Sequence, residues 1–268
     1  MNKKVVLITG GSSGIGKATG IYLTEKGHQV YGTTRDLSKY QDFNAFPLLQ
    51  LNVNNEDSIT SAVSRIVSET GRIDVLLNNA GVGITGPIEE TPISEINNAF
   101  DINFNGPLRM INAVVPQMRT QNQGLIINIT SIAGYMGLPY RGIYSATKGA
   151  LELATEALRM ELKEFNIKMT SLAPGDFATN IASGRYHAPF SADSPYTQYE
   201  KTLHMINEDV DNAGDPIEVA KQVLRIINAK NPKVHYKVGD FMQKFSLVLK
   251  RILPDKVYER LLLNHYKL

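Results

Sequence analysis

Tyr144 and Lys148 stand four residues apart in Tyr144-Ser145-Ala146-Thr147-Lys148, at the start of a stretch with helical spacing. Residues at i and i+4 share a helix face, so a phenol and an ammonium can point into one site. Ser131 lies thirteen residues upstream, just past the apolar run Leu125-Ile126-Ile127-Asn128-Ile129. A hydroxyl at a strand end, a phenol and a lysine form a proton-transfer set for a carbonyl or an alcohol. A free tyrosine has a pKa of ~10, so ionising it near neutral pH costs about 4 kcal/mol. A cation held beside it, with little water present, lowers that cost. Taken alone, the Tyr-x-x-x-Lys spacing is better explained as a surface pair on an amphipathic helix.

A second feature near the N-terminus changes that balance. Val5-Val6-Leu7-Ile8 is a short apolar run of the kind a strand buried on both faces needs. It flows into Thr9-Gly10-Gly11-Ser12-Ser13-Gly14-Ile15-Gly16, after which Lys17 to Lys26 has helical spacing. Strand, glycine turn and helix form the context of a phosphate-binding loop. Glycine lets backbone approach a diphosphate closely, and a helix N-terminus offers it unpaired N–H groups. Gly11-x-x-x-x-Gly16-Lys17 approaches a P-loop, but Ala18 stands where that motif needs a magnesium-binding hydroxyl, and Thr19 comes one position late. The spacing suits a dinucleotide loop better. Four glycines in seven residues also exceed what a tight turn requires.

Thr9-Gly10-x-x-x-Gly14-Ile15-Gly16, Asn78-Asn79-Ala80-Gly81, Asn103, Ser131, Tyr144-x-x-x-Lys148 and Pro174-Gly175 resemble the ordered motifs of the classical short-chain dehydrogenase/reductases. Within that family the chain is similar to the branch of 17β-hydroxysteroid dehydrogenase-like, retinol dehydrogenase-like and acyl-dihydroxyacetone-phosphate reductase-like enzymes. The resemblance implies an oxidoreductase moving a hydride between a nicotinamide and a carbonyl or secondary alcohol. Tyr144 would be the general acid in reduction and the base in oxidation. Lys148 would lower the phenol's pKa and bind the nicotinamide ribose. Ser131 would hold the substrate oxygen, and Asn103, rather than nearby Asn105, would support a water beside the lysine. The loop residues Gly10, Ser12, Ser13, Gly14, Ile15 and Gly16 would hold the cofactor. Asn79, Ala80 and Gly81 would lie against its adenosine side, and Pro174, Gly175 and Thr179 near its nicotinamide.

Family alignment places Thr34 where NAD-binding relatives carry an acid, with Arg35 next to it. An arginine there clamps a 2′-phosphate by charge-assisted hydrogen bonds, which favours NADP(H) over NAD(H). A shifted turn would instead bring Asp36 to the ribose. Asn52 precedes Val53 where many relatives carry Asp; its amide oxygen can still bond an adenine amino group.

Composition sets outer limits. The chain has 268 residues, 43% of them hydrophobic, a net charge of +2 and no cysteine. That is enough for one large α/β domain. It gives no general attraction to nucleic acid and excludes disulfides and thiolate chemistry. The five histidines are scattered, with no metal-ligand spacing. No apolar stretch approaches the ~20 residues of a membrane span, and a cytoplasmic location is expected.

Apolar runs at 4–9, 29–33, 48–51, 73–77, 125–130, 167–172 and 234–238 predict strands. Helical spacing covers 15–26, 56–69, 93–119, 142–164, 216–229 and much of 240–264, with Pro107 placed to kink the third. This alternation predicts a single-domain, doubly wound α/β Rossmann fold with a seven-stranded parallel sheet and helices on both faces. Gly10–Gly16, Asn78–Gly81, Ser131 and Pro174-Gly175 each follow a predicted strand, so all should converge on one sheet edge.

Residues 176–214 are the expected substrate lid. Phe177, Ile181, Tyr186, Phe190, Tyr196, Tyr199, Leu203 and Met205 suggest an apolar substrate, such as a steroid, retinoid or acyl-chain carbonyl, or simply pack the lid on the domain. The amphipathic extension 240–268 is expected to pack on its own domain or a partner subunit, ahead of peripheral membrane contact. The charges Glu152, Glu156, Arg159 and Lys163 read as a solvated helix face or a subunit contact. The family likeness implies a homodimer or homotetramer through 93–119 and 142–164. A dinucleotide-sensing binding protein, or an epimerase or dehydratase on the same scaffold, are the rival functions.

Overall fold

The computed structural model describes residues 3–177, 184–191, 193–211 and 214–268. Its frame is a seven-stranded, wholly parallel sheet. In chain order the strands are β1 (Val5–Ile8), β2 (Gln29–Thr34), β3 (Leu48–Gln50), β4 (Val75–Asn78), β6 (Gly124–Ile129), β7 (Ile167–Pro174) and β9 (His235–Val238). Across the sheet they run β3-β2-β1-β4-β6-β7-β9. Two further strands, β5 (Ile84–Thr85) and β8 (Tyr186–His187), make a separate parallel pair that the apolar pattern did not signal. The helices are α1 (Gly14–Glu25), α2 (Glu56–Thr70), α3 (Ile93–Phe100), α4 (Gly106–Thr120), α5 (Gly142–Glu161), α6 (Tyr199–Asp211), α7 (Ile217–Asn228), α8 (Phe241–Ile252) and α9 (Asp255–Tyr266).

The sheet is covered on both faces, which is why its central strands β1, β4 and β6 are apolar runs rather than alternating ones. Val5 and Leu7 point into a core closed by α2 and α4, with Ile59, Ile66, Met110 and Val114. Val6 and Ile8 point the other way, onto Leu23 of α1 and Val219 and Val223 of α7. The chain enters mid-sheet at β1, winds outward to β3 and returns past β1 to β4. The strand order therefore reverses between β1 and β4, the place where open α/β sheets take a ligand.

Two elements differ from expectation, and a third is divided where the sequence marks it. The helix over 93–119 is two helices joined by a π-helical turn, Asp101–Asn105. Pro107 has no N–H to donate to the carbonyl four residues back, and the Gly106 N–H reaches Asp101 in a wider turn. The C-terminal stretch is two helices parted at Pro254, the interruption that this proline signals in the sequence. The region expected to be a long lid loop contains α6, thirteen residues long, with Tyr199, Leu203 and Ile206 buried at helical spacing.

Candidate active site

The glycine loop, the β4 end, Ser131 and the α5 face open onto one cavity of about 430 Å³ at the carboxyl edge of the sheet. Gly10, Ser12, Ser13, Gly14 and Ile15 line it. Gly10 takes φ +66°, in the region open to glycine. Gly16 stands behind the wall: a Cβ there would lie 2.2 Å from the Gly10 carbonyl oxygen. It is glycine so that the helix can abut the loop. Asn79 ties loop to sheet, its Nδ2 donating to the Thr9 and Gly10 carbonyls at 3.0 and 3.1 Å. The Asn79 and Ala80 amides both donate to Thr9 Oγ1. Ser13, the N-cap of α1, makes no side-chain cap hydrogen bond, so it does not occupy the first-turn amides that an anion would use.

Thr34, Arg35, Asn52 and Val53 line one end of the cavity. Arg35 is exposed there. Asp36 is turned elsewhere. Its carboxylate accepts from the Ser38 amide and hydroxyl at 3.0 and 2.6 Å, and these bonds hold its pKa below the usual value. The shifted turn that would bring Asp36 to a ribose is not the one adopted. Asn52 Oδ1 accepts from the Asn54 amide at 3.1 Å, which leaves one of its two lone pairs.

Ser131, Tyr144, Lys148, Pro174 and Gly175 line the other end, with Gly81 between. The Ser131 hydroxyl accepts from the Ala133 amide at 3.2 Å and donates to the Pro174 carbonyl at 3.5 Å, close enough to the Tyr144 phenol to influence it. Burial pushes the Tyr144 phenol up; the Arg141 charge, the Ser131 hydroxyl and the Arg185 charge pull it down, while Asp176 raises it. Lys148 Nζ donates to the Ile129 carbonyl at 3.0 Å, and burial lowers it to about 8 against the raising charge of Glu152. Asn103 is fully buried in the π turn and outside the cavity wall. Its Oδ1 accepts from the Val82 amide at 2.8 Å, and its Nδ2 donates to the Val82 carbonyl and to Thr147 Oγ1 at 2.9 and 3.1 Å. Thr179 lies outside the described residues, as does Ile181.

Sequence reasoning passed over three charged side chains in the same wall: Arg141, Asp176 and Arg185. Arg141 sits one helical turn before Tyr144, a spacing visible in the sequence. Arg141 Nη2 lies 3.8 Å from Asp176 Oδ1, and Gln243 Nε2 donates to Asp176 Oδ2 at 3.0 Å. Arg185 Nη1 donates to Asn207 at 3.1 Å.

Glu152 corrects an expectation. It is buried, not solvated. Its carboxylate accepts from Thr130 and Ser171 at 2.5 and 2.6 Å, and His235 Nδ1 lies at 2.9 Å. His235 Nε2 is 3.0 Å from Glu156. Of the lid side chains, Phe177 is buried and reaches the cavity. Tyr199 and Leu203 pack among themselves with Ala188, Tyr140, Tyr186 and Tyr196.

A doubly wound parallel sheet with these loops defines a nucleotide-binding oxidoreductase frame. Residues 4–188 match the family model described as short chain dehydrogenase, and the chain belongs to that family. It is 39% identical to a 3-ketodihydrosphingosine reductase of Bacteroides thetaiotaomicron over 97% of this chain and 96% of that one. It is 34% identical to retinol dehydrogenase 8 of Homo sapiens, covering 85% and 79% respectively, in keeping with the branch the motifs suggested. A solved short-chain dehydrogenase from Streptomyces avermitilis superposes with a TM-score of 0.85 over 99% of this chain and 97% of that one, at 29% identity. ElxO with NADP bound superposes at 0.73 over 88% and 97%, at 28% identity. No helix among the described residues is long and apolar enough to cross a membrane.

Proposed function

We propose that the protein is an NADP(H)-dependent oxidoreductase that interconverts a ketone and a secondary alcohol, on a substrate with an apolar, acyl-like chain and a polar group beside its carbonyl. The observation that carries the reading is the opening of the glycine loop, Ser131, Tyr144 and Lys148 onto one cavity. The loop fits a dinucleotide: its glycines permit close backbone approach, and the N-terminus of α1 meets a diphosphate. Arg35 at the cavity edge, neutral Thr34 beside it and the diverted Asp36 carboxylate support a 2′-phosphate there.

When bound, the reduced nicotinamide supplies the hydride. Tyr144 delivers its proton to the substrate oxygen, and Ser131 donates a hydrogen bond that holds this oxygen in reach. In the reverse direction the Tyr144 phenolate accepts the proton, a form that Arg141 and Ser131 favour against burial. Lys148 places a cation for the ribose hydroxyls. Asn103 positions the wall beside Lys148 through Val82 and Thr147. Asp176, Arg141 and Arg185 meet the polar group next to the carbonyl. The substrate named for the 39%-identical relative, a 3-keto lipid, has this character.

The test is turnover with NADPH against ketones of increasing chain length, following cofactor oxidation and product. Tyr144→Phe should cost at least about 10³-fold in rate, while NADPH affinity stays within a few fold. A variant turning over at the parent rate would remove Tyr144 from the proton path. Cofactor binding with no turnover of any ketone would favour a sensor instead.

A further inference from the structure

Helix α8 carries its polarity inverted. Leu247 faces the domain, 4% exposed, in a small cluster with Ile132, Met136 and Tyr258. Away from it, Phe241, Phe245, Val248 and Ile252 follow the spacing i, i+4, i+7, i+11 that places side chains on one face. They are 73, 38, 48 and 68% exposed, and the two phenyl rings stack 5.6 Å apart. A surface helix ordinarily turns polar residues outward. A contiguous exposed apolar patch marks an interaction surface. Of the expected packing on its own domain or a partner subunit, the domain contact accounts for one face of α8.

Charge says what the other face suits. Segment 240–268 carries Lys244, Lys250, Arg251, Lys256, Arg260 and Lys267 against Asp240, Asp255 and Glu259, a net +3. The whole chain is +2, so residues 1–239 sum to −1. Positive charge is gathered on the element that displays the stripe, with Lys244 and Arg251 flanking it. Two copies meeting through this face would set like charges together; an anionic surface would not. The helix also rims the cleft, since Gln243 bonds Asp176 inside it.

We propose that α8 docks on an anionic lipid surface. Its apolar stripe enters the headgroup boundary, Lys244 and Arg251 lie against lipid phosphates, and the cleft mouth is held beside the layer. Docking is independent of the chemistry assigned to Tyr144, although it would bring an acyl-chain substrate to the cleft.

Co-sedimentation of the full chain with vesicles tests this, using phosphatidylcholine alone or mixed with phosphatidylserine. Binding is expected only to the anionic vesicles at about 0.1 M salt. It should be lost at about 1 M, where the screening length falls from about 10 Å to about 3 Å. The triple change Phe241→Ser, Phe245→Ser, Ile252→Ser should weaken it at least about tenfold. The pair Lys244→Glu, Arg251→Glu should abolish the preference for anionic lipid. Both should leave turnover of a short, water-dissolved ketone intact, which separates loss of docking from loss of the active site. A parent chain that ignores anionic vesicles, or variants that bind like the parent, would overturn the proposal. So would conversion of a dimeric parent to a monomer by the serine changes with vesicle binding unchanged, because the stripe would then be a subunit interface.

Discussion

The Arg141 guanidinium carbon lies 5.6 Å from the centre of the Tyr144 ring, slightly nearer than Lys148 Nζ at 5.9 Å. Of the charges that lower the phenol, Arg141 acts most strongly, and it works against the larger raising effect of burial. Lys148 faces the Ile129 carbonyl instead. Arg141, the N-cap residue of α5, is therefore a second cation beside the phenol, three residues before it in the chain.

Replacing Arg141 by Met should therefore raise the phenol further. Alcohol oxidation needs the phenolate, so its rate rises as pH passes the phenol's pKa. The rising limb should move to higher pH, because a cation that favours the phenolate has been removed. Arg141→Lys should recover part of the change. Profiles of kcat/KM for oxidation check this; an unmoved limb would assign the tuning to another group.

Lys148 has a measurable cost of its own. Burial lowers its ammonium to about 8, from 10.5 when unperturbed. Between those values the native chain binds fewer protons than the unfolded chain, so stability rises with pH through that window. Below it, the charged and buried ammonium costs on the order of 3 kcal/mol. Lys148→Met should stabilise the cofactor-free protein at pH 7 by on the order of 2 kcal/mol, the lost bond to Ile129 offsetting the remainder. It should also flatten the rise above pH 8 and abolish turnover. Urea unfolding at pH 7 and pH 10 reads both effects, and a less stable variant at pH 7 would refute the assignment.

What could be read from the sequence follows the range of the interactions involved. The central strands of the main sheet were legible because burial on both faces demands a run such as Val75–Asn78, whereas the edge strand His235–Val238 is only half-buried and carries polar residues. The loop from Gly10 to Gly16 and the Tyr144–Lys148 pair were legible because their geometry is set within one turn. The π turn was not, since it depends on which carbonyl the Gly106 N–H reaches when Pro107 beside it has no N–H to donate. Glu152 looked like a solvated charge because its partners Ser171 and His235 arrive only when β7 and β9 pair alongside β6. Asp176 and Gln243 are neighbours only because α8 folds back over the β7 end.

Under the proposed NADP(H) preference, Arg35 is the residue that meets the 2′-phosphate, and its removal should be selective. A charge-assisted clamp on a phosphate is worth about 1.5–3 kcal/mol. Arg35→Ala should thus raise KM for NADPH by roughly 10- to 100-fold, leaving NADH within about twofold. Thr34→Asp should add repulsion of the phosphate and reverse the preference. Paired kcat/KM values with both cofactors decide it. Equal losses for the two would place Arg35 in the fold rather than in recognition of the 2′-phosphate.

The outward face of α5 is the proposed subunit contact. Leu153 and Met160, seven residues apart on one side of that helix, are 69 and 71% exposed. Pairing through this face should show as a dimer or tetramer in light scattering. Leu153→Arg with Met160→Arg should then set two like charges from each copy against each other in an isologous interface. Desolvating unpaired charge there should weaken association by about 100-fold or more. The serine changes on α8 should leave the mass unaltered, because that stripe belongs to a different element with a different occupant. A parent chain that stays monomeric at high concentration would refute the contact, and a dimer that survives the arginine pair would move it elsewhere on the surface.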